Sequence, residues 1–209
     1  MTAATRHEVV PFIASWSGEQ KHSRKVVYSP ARGGIAFADE QPEDRDQYGV
    51  LWNGRAAARG SGRPELGDVH PDRQRVAMQN LLCQVCGTAP DRTRRGLLWL
   101  LEDHQGDYPE WPNDALTTHP PLCLPHARKS LQACPHLRRG AVAVRVGTSE
   151  VMGVHGRLYA PSAFGPVRLD KKDVVAYGSN AARWVLAGQL VRALYDCTIV
   201  DLDEFRSRP

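Results

Sequence analysis

Cys83-Gln84-Val85-Cys86-Gly87 and the later Cys123-Leu124-Pro125-His126 decide how this chain folds. A two-residue spacing lets one tight backbone turn aim two cysteine sulfurs at a single ion, and Gly87 gives the chain freedom to turn away. Cys123 and His126 repeat the spacing where Pro125 suits the first turn of a helix, so both donors share one face. Three thiolates and a neutral imidazole satisfy tetrahedral Zn2+, and four protein ligands leave no place for a catalytic water. The expected role is structural. A knuckle, a strand-bearing insert and a ligand-bearing helix make a treble-clef zinc module, a zinc finger in the broad sense.

Cys134 and His136 compete as ligands only if the helix is broken, or else belong to a second site. An unbroken helix from Cys123 puts Cys134 roughly 16 Å away, too far to share an ion. Cys134 and Cys197 are therefore expected in the core, and His136 at a solvated helix end. Five cysteines, an odd number, argue against a disulfide framework. The N-terminus lacks the apolar core of a signal peptide, and no apolar run is long enough to span a bilayer. A cytoplasmic protein with no membrane role is expected, and reduced thiols favour metal binding.

Outward from the two pairs, the chain reads as α+β in three parts: 1–70, 71–139 and 140–209, packed as one unit. In the first, Val26-Tyr28, Ile35-Phe37 and Val50-Trp52 read as a small antiparallel meander, and 53–71, rich in Gly, Arg and Pro, as a loop. A helix follows Pro71, with Asp72 in its first turn, and leads to Cys83. Leu97-Leu98-Trp99-Leu100-Leu101 reads as a strand buried on both sides, and Leu124 to Ala133 as the ligand-bearing helix. In the third part Val142, Val144 and Val146 alternate as a strand, with further strands at 151–159 and 173–177 forming a small β sheet. Trp184, Ala187, Leu190, Val191, Leu194 and Tyr195 fall on one helical face, which predicts a closing helix capped by Ser179 or Asn180.

The succession Cys-Gln-Val-Cys-Gly, Leu-Glu-Asp-His and Leu-Cys-Leu-Pro-His-Ala-Arg-Lys, over residues 82–129, resembles the zinc-containing branch of the HNH endonucleases. The resemblance implies a metal-dependent nuclease in which His104 is the general base and Asp103 holds a catalytic Mg2+ or Mn2+ ion. The sequence departs from that pattern: Asn113 lies far before Cys123, and Arg128 and Lys129 follow His126 where a further histidine is expected, with His119 the nearest substitute. Asp72-Arg73-Gln74-Arg75, Cys-Gln-Val-Cys-Gly and Leu-Cys-Leu-Pro are also similar to a bacterial zinc-binding family with no assigned activity.

The net charge of +4 permits an acidic partner without demanding one. Arg92, Arg94 and Arg95 beside the knuckle, with Arg128, Lys129, Arg138 and Arg139 on and after the ligand helix, are candidates for phosphate contacts. The expected function is a zinc-stabilised binding protein, regulatory in role, acting on nucleic acid, DNA included, or on a protein partner. The alternative is the HNH-like nuclease. A second alternative is an enzyme of another class with a pocket between the flanking sheets, using His70, His155 or the Asp39-Glu40 pair.

Overall fold

The computed structural model describes residues 10–20, 22–134, 137 and 140–201. The chain is mixed α+β and mostly sheet, with two α-helices. Its first strands are β1 (Ala14–Trp16), β2 (Val26–Ser29), β3 (Gly34–Phe37), β4 (Leu51–Trp52) and β5 (Pro64–Val69). Helix α1 (Pro71–Gln79) leads into β6 (Arg92–Thr93), β7 (Gly96–Glu102) and β8 (Leu116–Thr117). Then come α2 (Leu124–Ala133), β9 (Ala141–Ala160), β10 (Val167–Ala176) and β11 (Val185–Val200). A seven-stranded sheet runs β4-β11-β9-β7-β6, with β10 added to β9 and β8 to β11.

The antiparallel ladder between β9 and β11 is the spine of that sheet. The first half of β9 also pairs with β7, and its second half with β10, so one strand joins two lobes. Strand β7 is buried on both faces, as its run of apolar residues requires. Leu98 and Leu100 face the two cysteine pairs, while Leu97, Trp99 and Leu101 pack with Trp111, Val144 and Leu194.

Three expectations are corrected. Val26-Tyr28 and Ile35-Phe37 do form a hairpin, but Leu51–Trp52 leaves it and pairs in parallel with β11. The stretch 53–71 is not all loop, because Pro64–Val69 pairs with β1. The closing helix is absent: Asn180–Trp184 is a short 3-10 turn, and Val185–Val200 is a central strand. Register breaks between Ala187 and Gln189 and between Val191 and Arg192 reset the alternation. Apolar residues then fall at three- and four-residue intervals along an extended chain, mimicking a helical stripe.

Helix α1 ends with the Leu82 N–H on Ala77 O at 2.8 Å and Leu81 at φ 51°, a six-to-one closure that turns the chain straight into Cys83. Gln74 ties the helix to the sheet from a fully buried position. Its Nε2 donates to Thr118 O (2.7 Å) and Leu190 O (3.0 Å), and its Oε1 accepts from Leu190 N–H (2.8 Å). Gln74→Leu keeps the volume but strands these groups, and should cost about 3 kcal/mol in chemical denaturation. Stability equal to wild type would show that the tie contributes nothing.

Candidate metal centre

The turn of residues 83–88 is closed by Gly87 N–H on Cys83 O (2.8 Å) and Cys83 N–H on Thr88 O (2.7 Å). Gly87 has φ +72°, and a Cβ there would lie 2.9 Å from the Phe12 ring, so glycine is required on two counts. On the other side, Cys123 is the N-cap of α2 and Pro125 lies in its first turn. Ala127 N–H bonds to Cys123 O at 2.9 Å, which fixes His126 one residue earlier on the same turn.

The four donor atoms lie within 4.8 Å of one another. Cys83 Sγ is 3.7 Å from Cys123 Sγ, and Cys86 Sγ is 3.9 Å from it. His126 Nδ1 lies 3.0 Å from Cys123 Sγ and 3.9 Å from Cys83 Sγ. Zinc–sulfur bonds of about 2.3 Å at tetrahedral angles set sulfurs about 3.8 Å apart, with nitrogen about 3.5 Å from each sulfur. The two sulfur–sulfur separations therefore match those a shared tetrahedral metal imposes, the nitrogen lies about half an ångström from its ideal distances, and the sulfurs are far outside the roughly 2.05 Å of a disulfide. Cys83, Cys86, Cys123 and His126 can bind a metal ion.

The electrostatics point the same way. Burial, reinforced by the neighbouring Cys83 sulfur, pushes the Cys123 thiol up to about 12. Burial opposes ionisation of Cys86 too, but hydrogen bonds from Thr88, Cys83 and Cys123 outweigh it and bring that thiol down. Burial, and then the charge of Lys129, lower His126 and favour the neutral imidazole that ligates. Three sulfurs this close cannot all ionise without a cation among them, and a divalent metal would supply that charge.

The knuckle is held from outside by the segment before β1. Phe12 N–H donates to Val85 O (2.9 Å) and Ile13 N–H to Gln84 O (3.3 Å). Arg73 of α1 clasps the segment, its Nε on Phe12 O (2.7 Å) and its Nη2 on Ala14 O (2.6 Å), and forms two bonds to the buried Glu19 carboxylate. Burial would raise Glu19, but hydrogen bonds from Arg73 and the Trp16 N–H hold it below its ordinary value. On the sheet side, Arg145 reaches Asp91 at 2.5 Å, pinning the chain just after the knuckle to β9.

The remaining candidates lie apart from this centre. His104 is half-exposed beyond β7, with Nδ1 2.9 Å from Asp107, while Asp103 Oδ1 accepts from Gln105 N–H at 3.0 Å. His104 and His119 border one groove of about 260 Å³. Arg92 on β6 and Arg94 and Arg95 on the β6–β7 turn are exposed, Lys129 is exposed on α2, and Arg128 is partly buried. Arg138, Arg139 and His136 lie outside the described residues. Cys134 caps the far end of the unbroken α2, away from the cluster, and is half-buried rather than in the core. Cys197 is also partly buried, against the second face of β7. Asp39 pairs with Arg24 and Glu40 with Arg45. His70, buried at the start of α1, is pushed down by burial and then by Arg73. The Glu19–Arg73 clasp carried no spacing signal, since its partners are 54 residues apart.

No family model, curated protein or solved structure matches this chain.

Arg73→Ala leaves the Glu19 charge buried and uncompensated, which should cost about 3–5 kcal/mol at neutral pH. Glu19 stabilises the wild type above its unfolded value of 4.5, and that contribution is lost as pH falls through the lower folded value. The deficit of Arg73→Ala against wild type should therefore shrink below about pH 4.5 in urea titrations. A deficit independent of pH would mean that the clasp is steric.

Proposed function

We propose that Cys83, Cys86, Cys123 and His126 hold one structural Zn2+ ion and that knuckle, β6–β7 hairpin and α2 constitute a treble-clef module. The protein it stabilises is a regulatory binding protein whose partner is nucleic acid. The observation that carries the zinc reading is the set of sulfur–sulfur separations at 3.7 and 3.9 Å in a Cys3His group. Thiolate with imidazole suits zinc, and four protein donors close the shell. Support for nucleic acid comes from Arg92, Arg94 and Arg95 standing exposed on the hairpin that follows the knuckle. Arginine forks there suit phosphate oxygens and carry no sequence information by themselves.

Two experiments test this. Chelation, or Cys86→Ala, should abolish the cooperative melt, because ligand loss removes folding free energy on the order of several kcal/mol. A native melt after either treatment would count against a structural metal. Fluorescence anisotropy with labelled oligonucleotides should show binding that weakens with salt, and changing all three arginines to alanine should lower the salt slope by up to about 2.7. Absence of binding at low salt would shift the partner to a protein.

A second reading, an HNH-like nuclease, is favoured by one feature. The His104 Nδ1 contact with Asp107 orients the ring and turns Nε2, 3.9 Å from the Glu102 carboxylate, to the position from which it would take a water proton. Asp103 would hold the Mg2+ or Mn2+ that steadies phosphate charge. Plasmid nicking that requires added Mg2+ or Mn2+ and disappears in His104→Ala supports this reading. Equal nicking by the variant removes it.

A further inference from the structure

Far from the cysteine cluster, a cleft of about 510 Å³ opens where β5, the second half of β9, β10 and the start of β11 meet. Ala143 packs beside the cysteines and His155 lines the cleft, so the two sites are separated by roughly 40 Å of strand β9. The volume lies within the range of small-molecule sites, about 300–1,000 Å³.

Its lining is predominantly basic. Arg55, Arg157, Arg168 and Lys172 border it, against a single carboxylate, Asp68. Asp68 is already engaged by Arg55, which is itself almost wholly buried, at 7% exposure. Asp170, fully exposed, reaches Arg157 only at 3.4 Å, and Asp173 pairs with Lys171 rather than Lys172. Among the described residues no carboxylate forms an ion pair with Arg168 or Lys172. With Asp68 set against Arg55 and Asp170 against Arg157, the cleft keeps two cations, Arg168 and Lys172, outside any such pair, at an exposed rim of a concave setting that favours a matching anion.

Neutral polar groups complete the lining. His155 sits on an interior strand, paired with Val174 on one side and Gln189 on the other. Gly188 lies at the register break of β11, and a Cβ there would have His155 O as its nearest neighbour, 3.9 Å away. Position 188 thus opens onto free space, in a strand distortion of the kind that recurs beside binding sites.

We propose that this cleft binds a phosphorylated small molecule with at least two negative charges, of the di- or triphosphate class. A carboxylate would satisfy one guanidinium fork; a polyphosphate matches the whole excess charge and presents acceptors to Arg157, Arg168 and Lys172 together. This site goes beyond the zinc-supported reading and stands whether or not that reading holds.

The test is titration calorimetry on the full chain with pyrophosphate, ATP and a short single-stranded oligonucleotide as probes. Pyrophosphate or ATP should bind, and the double variant Arg168→Ala/Lys172→Ala should weaken the affinity by about tenfold or more. Gly188→Leu should block binding by filling the cleft, with its melting curve establishing that it folds. Failure of both phosphate probes to bind, or binding unchanged in both variants, overturns the proposal. Binding of the oligonucleotide alone overturns it too, since the phosphates would then belong to a nucleic-acid strand.

Discussion

Three sulfurs and a ring nitrogen brought within 4.8 Å of one another are an unfavourable arrangement for a protein to hold unless a cation sits among them. Two thiolates at under 4 Å repel, and burial raises the cost of each charge, which is why the Cys123 thiol stands so high. The backbone nonetheless aims all four donors inward. One pair is set by the Gly87 turn and the other by the N-terminus of α2, segments joined through Gln84 N–H on Pro121 O and Asp91 N–H on Leu122 O. A shared metal would resolve the conflict between geometry and charge that arises once these thiols ionise.

The surrounding fold is organised around that junction. Leu98, Leu100 and Ala143 present one sheet face to the cluster, and Leu122 and Ala127 pack against it from the helix side. Phe12 closes over Gly87, Arg73 holds the Phe12 segment, and Gln74, one residue further along α1, bonds to β11. The knuckle is thus coupled to the central sheet by apolar packing and to α1 by hydrogen bonds. Loss of its order would expose the apolar face of β7 that the module covers.

The parts of this fold that could be read from sequence were those with local causes. A two-residue ligand spacing, a proline in a first helical turn and a run of five large apolar residues each have a short-range physical meaning. The clustering of Cys83, Cys86, Cys123 and His126, and the elements α1, α2 and β7, follow from them. Strand β11 was misread because its register breaks reset the period-two alternation, an effect of pairing with β9 that no window of β11 alone records. Strands β4 and β5 are short or polar, and in both cases the partner strand lies far along the chain, with other strands in between. Buried polar residues were the least legible. Glu19, Gln74 and Arg145 look like surface residues by type, and only the tertiary partners Arg73, Leu190 and Asp91 explain their burial.

The central claim is that a single zinc ion joins the two ligand pairs, and X-ray absorption at the zinc edge on freshly purified protein tests it most directly. The account predicts one zinc per chain with three sulfur neighbours at about 2.3 Å and one nitrogen at about 2.0 Å. Substoichiometric metal, or a shell made of oxygen and nitrogen alone, would contradict it.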